Sequence, residues 1–85
     1  PPDEWQLIIG SITDDELQAK LFVQEDASTV IELLDLQGRI VRREKLSAIK
    51  GSNLLKLEIG NLDKGLYFIK AYSYDKNILA KFAKL

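Results

Sequence analysis

Apolar and polar side chains alternate through most of this chain. Leu17, Ala19, Leu21 and Val23 share one parity, with Gln18, Lys20 and Gln24 on the other. Ile31 and Leu33 flank Glu32, and Leu55, Leu57 and Ile59 alternate with Lys56 and Glu58. Tyr67, Ile69 and Ala71 alternate with Phe68, Lys70 and Tyr72. A period of two is the pleat of a strand with one face on a core, so the first member of each set is expected to point inward. Turn-forming clusters punctuate these segments at Gly10-Ser11, Glu25-Asp26, Gln37-Gly38, Lys50-Gly51-Ser52-Asn53, Gly60-Asn61, Asp63-Lys64-Gly65 and Asp75-Lys76-Asn77. The runs between them are about six to nine residues long, the rhythm of a β-sandwich or barrel.

Helix competes in two places. Thr13-Asp14-Asp15-Glu16 has the spacing of a capping box, with Leu17 and Leu21 four apart behind it. Val30 to Leu36 holds good helix formers and stops near Gly38, a plausible helix cap. Both stretches are shorter than the roughly 12 residues an isolated helix needs. The alternation after Leu17 is cleaner than any helical stripe, and strand is the favoured reading of both.

Composition narrows the function. Residues 1–85 suffice for one domain. Hydrophobic residues make up 46% and charged residues 29%, a balance that builds a core and leaves a solvated surface. No apolar run approaches the roughly 18–20 residues of a membrane-spanning helix, so membrane insertion is not expected. The net charge of −1 argues against nucleic acid as a partner. The basic run Arg39, Arg42, Arg43 and Lys45 is interrupted by Glu44 and reads as a solvated strand face. Pro1-Pro2 is no translation start, so the chain is expected to be a processed or excised piece of a longer protein.

The chain has no Cys, no His and no Met. A thiolate nucleophile, a disulfide framework and the usual nitrogen and sulfur zinc ligands are therefore missing. No Ser or Thr sits in a nucleophile-elbow context, and the acidic clusters Asp14-Asp15-Glu16 and Glu25-Asp26 fall in turns where carboxylates are ordinarily solvated. No glycine pattern cradles a phosphate. The expectation is a non-catalytic module without a cofactor or metal.

Aromatic residues remain as candidate contacts. Tyr67 belongs to the inward set, whereas Phe68 and Tyr72 lie opposite, with Lys70 between them, and Tyr74 follows. If Phe22, Val30 and Leu34 also point outward, one sheet exposes an apolar face of the kind that marks a contact surface. The alternative is that Lys and Arg stems cover these side chains. Trp5 lies near the start, where it either frays or packs on the core edge.

Four segments in order carry a resemblance. Ile31-Glu-Leu-Leu-Asp35-Leu-Gln-Gly38-Arg39-Ile-Val41 is followed by Asn53-Leu-Leu-Lys-Leu57, then by Leu62-Asp-Lys-Gly65-Leu-Tyr67-Phe-Ile69, and the sequence finishes on Ala80-Lys-Phe-Ala-Lys-Leu85. This order resembles the C-terminal sorting domain of type IX secretion in Bacteroidota over roughly Leu7 to Leu85. The family often carries a Pro-Asn-Pro turn early on, and Gly10-Ser11-Ile12 stands in that place here. The motifs also have a physical reading of their own. Asp35 can bond turn amides while Gly38 takes a positive φ. Leu62 tucks under the sheet, Gly65 turns the chain, and Tyr67 buries its ring with its hydroxyl on a nearby backbone group. That last feature is similar to the tyrosine corner of immunoglobulin-like sandwiches, and the fold expected is an immunoglobulin-like antiparallel β-sandwich of about seven strands.

The resemblance implies an address borne at the end of a larger cargo protein. Such a domain passes the periplasm, meets an outer-membrane secretion translocon, and reaches the cell surface or the medium. It implies Lys81, Phe82, Lys84 and Leu85 as the recognition end, with Asp35, Gly38, Arg39, Leu62, Gly65 and Tyr67 as scaffold. Phe68, Lys70 and Tyr72 would form a contact patch. The competing reading is an accessory immunoglobulin-like binding or spacer module of a secreted enzyme, with Trp5, Phe68, Tyr72 and Tyr74 as an aromatic platform for carbohydrate or cell-surface adhesion.

Overall fold

The computed structural model describes residues 4–85, so the expectation attached to Pro1-Pro2 lies outside the described residues. Seven strands follow one another: β1 Gln6–Ile12, β2 Glu16–Val23, β3 Ala27–Leu34, β4 Ile40–Ala48, β5 Gly51–Glu58, β6 Gly65–Tyr72 and β7 Asn77–Lys84. They form a three-stranded sheet of order β1-β2-β5 and a four-stranded sheet of order β4-β3-β6-β7, antiparallel throughout. The expected all-β sandwich is the fold found.

Alternation dictates what the sandwich encloses. Leu17, Ala19, Leu21 and Val23 of β2 and Leu55 and Leu57 of β5 are buried from one sheet. Thr29, Ile31 and Leu33 of β3 and Tyr67, Ile69 and Ala71 of β6 are buried from the other. Register keeps each set on one face, since Leu17 pairs with Leu57 and Ala19 with Leu55, while Ile31 pairs with Ala71 and Leu33 with Ile69. A slip of one residue would turn these side chains to water, and burying each large one contributes roughly 1.5–3 kcal/mol. Trp5 closes one end of the core at 8% exposure.

Asn53 secures the passage from β4 into β5, where the chain crosses between sheets. Its Oδ1 accepts from the Ile49 amide at 2.9 Å, and its Nδ2 donates to the carbonyls of Ile49 at 2.8 Å and Leu21 at 3.2 Å. A buried side-chain amide thus satisfies backbone groups of the corner at Ile49 and ties that corner to β2.

Several local expectations are corrected. Gly10-Ser11 is no turn. Gly10 lies inside β1, where the register shifts between Ile9 and Ser11 as in a β-bulge. The turn comes three residues later, and the Thr13 hydroxyl accepts from the Glu16 amide at 3.0 Å, as in a capping box. A strand follows it, because the Leu17–Val23 alternation finds a partner in β5. Val30 to Leu34 likewise belongs to β3. Gly51, Ser52 and Asn53 begin β5, so the turn there is confined to Ile49-Lys50.

Candidate functional site: the outer face of the four-stranded sheet

The two turn motifs are built as their residue types require. Asp35 Oδ1 accepts from the amides of Gln37 at 2.9 Å and Arg39 at 3.0 Å, and Oδ2 accepts from Arg39 Nε at 2.7 Å. Gly38 takes φ +82°, and the turn closes with its amide donating to the Asp35 carbonyl at 3.0 Å. Desolvation pushes the Asp35 carboxyl upward, but the Arg39 amide, the Arg39 guanidinium and the Gln37 amide together hold it below the usual carboxylate range. Gly65 takes φ +149° on entering β6, and Leu62 packs partly buried against the core. The Tyr67 hydroxyl donates to the Asp63 carbonyl at 2.6 Å, and its ring stacks on Phe82 with centroids 5.6 Å apart.

The terminal strand divides its residues by parity. Phe82 and Lys84 point inward and are buried at 4% and 6% exposure. The Lys84 Nζ donates to the carbonyls of Ile59 at 2.6 Å and Leu62 at 2.7 Å, which ties off the turn between β5 and β6. Lys81 is exposed and Leu85 is 88% exposed. The four residues of the expected recognition end therefore do not form one surface.

Lys81 instead joins the other candidate set, because it pairs with Phe68 across β6 and β7. The register lays out three rows on the outer face of the sheet. Ile40, Leu34, Phe68 and Lys81 form one, and Arg43, Glu32, Lys70 and Leu79 the next. Lys45, Val30, Tyr72 and Asn77 form the third. Phe68, Lys70 and Tyr72 are half-buried on this face, as are Val30 and Leu34. Glu32 faces outward as its parity requires, yet it is only 6% exposed. It accepts from the Tyr72 hydroxyl at 2.9 Å and lies 3.6 Å from Arg43 Nε, while Lys70 Nζ sits 5.1 Å from the Tyr72 ring centroid. The cationic stems and the phenol cover the carboxylate, so alternation alone misjudges its burial.

Beside this polar cluster lies a shallow groove of about 350 Å³ lined by Leu34, Leu36, Phe68 and Leu79, with Asp35 and Lys70 among its polar members. Leu36 and Leu79 are each 55% exposed. Sequence reasoning singled out neither, although Leu79 has the same parity as Lys81. The aromatic platform does not assemble: Trp5 is in the core, the Tyr72 hydroxyl is bound to Glu32, and Tyr74 stands fully exposed in the β6–β7 turn. Among the described residues no acidic cluster of metal-holding form occurs, and no helix is long and apolar enough to cross a membrane.

A family model described as the secretion system C-terminal sorting domain matches residues 14–84. No curated protein matches the chain. Among solved structures, a β-glucosidase from Kluyveromyces marxianus aligns over 98% of this chain with a TM-score of 0.57 and 14% identity. The chain spans 14% of that enzyme's length, and at such identity the likeness concerns the fold alone.

Proposed function

Because the chain belongs to the family of secretion system C-terminal sorting domains, which act as sorting signals of type IX secretion, we propose that it is read by an outer-membrane translocon at Lys81, on the outward side of β7, and at the exposed Leu85 that follows the strand. The family match over residues 14–84 carries the functional reading. The choice of residues is supported by their exposure, against the burial of Phe82 and Lys84, which serve as scaffold beneath them. The domain takes no part in catalysis, a reading that rests on the family's role and on a sequence without His or Cys. Its cargo is a larger protein joined to it, carried through the periplasm to the cell surface or medium.

The test is a periplasm-directed reporter fused ahead of the 85-residue chain in a host with type IX secretion. The reporter is expected at the surface or in the medium. Failure of the unaltered chain to export it overturns the sorting reading. Lys81→Glu with Leu85→Asp is expected to reduce export while leaving the domain folded, and undiminished export would overturn the assignment to β7. Removing residues 81–85 outright is a poor test, since it also takes away the core ring of Phe82 and the turn-capping ammonium of Lys84.

A further inference from the structure

The outer face of the four-stranded sheet carries a charge that the whole chain does not. Arg43, Lys45, Lys70 and Lys81 lie on it with Glu32 as the one carboxylate among the paired rows, in a chain of net charge −1. Arg43 is engaged by Glu32, and among the described residues Lys45, Lys70 and Lys81 have no carboxylate partner within 4 Å. The other sheet offers a contrast. Its outer positions pair Glu16 with Glu58 and Gln18 with Lys56, and Lys20 stands between Ile8 and Leu54, so its cations and carboxylates balance. The groove formed by Leu34, Leu36, Phe68 and Leu79 opens on the cationic face.

We infer that this face is a composite docking surface for an acidic protein partner, one that seats an apolar side chain in the groove and sets carboxylates against Lys45, Lys70 and Lys81. The inference rests on the sorting reading and extends it, because recognition then spans four strands rather than the terminal segment. Charge complementarity selects an acidic partner and steers it to this side of the sandwich. Apolar contact within a cationic rim selects a protein over a bare polyanion. A polyanion would gain nothing from the groove and would meet the carboxylates of Glu32 and Asp35 beside it. The Glu32–Tyr72–Arg43 cluster holds the centre of the face in one arrangement, which lowers the ordering cost of binding.

The reporter assay tests this with substitutions outside Lys81–Leu85. Lys45→Glu reverses a charge, and Leu36→Lys/Leu79→Lys removes the apolar seat while making the face more basic. Both are expected to lower export at least about tenfold, the range of a lost interface anchor. Ile8→Lys/Leu54→Lys is the matched control, since Ile8 and Leu54 are 52% and 54% exposed on the opposite sheet. It is expected to export as the unaltered chain does. Folding of each purified variant is checked by thermal unfolding, and Leu36→Lys alone, in a turn, repeats the test if the double variant does not fold. Full export by the Leu36/Leu79 variant would overturn the inference, because a polyanion or no ligand then explains the face. Equal loss in the control would overturn it too. Absence of export by the unaltered chain would instead bring down the sorting reading itself.

Discussion

The Lys84 ammonium lies 2.7 Å from the Leu62 carbonyl, inside the turn that joins β5 to β6, and it also reaches the carbonyl of Ile59. A residue that resembles part of a basic recognition tail is thus a cap for a distant turn. Lys84→Met keeps the hydrocarbon stem and removes the donors. It is expected to cost about 2 kcal/mol, as for a buried charge-assisted interaction whose acceptors are left dry. Lys81→Met should stay within about 0.5 kcal/mol, since its head is in solvent. Denaturant unfolding of the two variants in parallel checks the contrast.

Tyr67 makes two separable contributions. Tyr67→Phe keeps the ring against Phe82 and loses only the hydrogen bond to Asp63, for an expected cost of about 1 kcal/mol. Tyr67→Ala also empties core volume and is expected to cost about 3–5 kcal/mol. Near-equal losses in thermal unfolding would contradict this division.

Gly38 has open space where a Cβ would go, so any penalty at this position comes from its backbone angle. With φ at +82°, Gly38→Ala is expected to destabilise by roughly 1–2 kcal/mol. Gly10 lacks a positive φ, and Gly10→Ala, whose Cβ would lie 3.4 Å from the Gln18 carbonyl oxygen, should cost under about 0.5 kcal/mol. Unfolding midpoints for the two alanine variants measure the difference.

Asp35 makes stability depend on acid. Its carboxyl is held below its ordinary range when folded, so the ionised form stabilises the native state above an unfolded value of about 3.9. That contribution is lost as pH falls through the lower folded value. Asp35→Asn should therefore be less stable than the unaltered chain at neutral pH, and the gap should close below about pH 4. Urea midpoints at neutral pH and at about pH 3 decide it.

Much of the fold could be read from parity. The Leu17–Val23, Leu55–Ile59 and Tyr67–Ala71 sets point inward as their alternation requires, and Asp35 and Gly38 form the turn their side chains favour. What parity could not supply was neighbours across strands. Glu32 is buried because Arg43 and Tyr72, distant in sequence, fold over it. The meeting of Lys81 with Phe68, and of Leu79 with Lys70, depends on the β6–β7 register. Gly10 cannot be placed from sequence alone, because a glycine in a strand and a glycine in a turn look alike until the partner strand reveals the extra residue. Trp5 has no alternating neighbours to assign it a side, and its size makes it a natural plug for the core.

The strand order also sets a timescale. Two hairpins, β3–β4 and β6–β7, can form from neighbouring residues, but the sheet that joins them requires β3 to find β6 across two intervening strands. The other sheet likewise awaits the meeting of β2 with β5. Such non-local pairing places folding on the order of milliseconds to seconds, far slower than a helical bundle of the same length. For a module whose recognition face is assembled from β4, β3, β6 and β7 together, legibility to a partner arrives only when that search is over. The interval before it is one in which the chain is present yet unreadable.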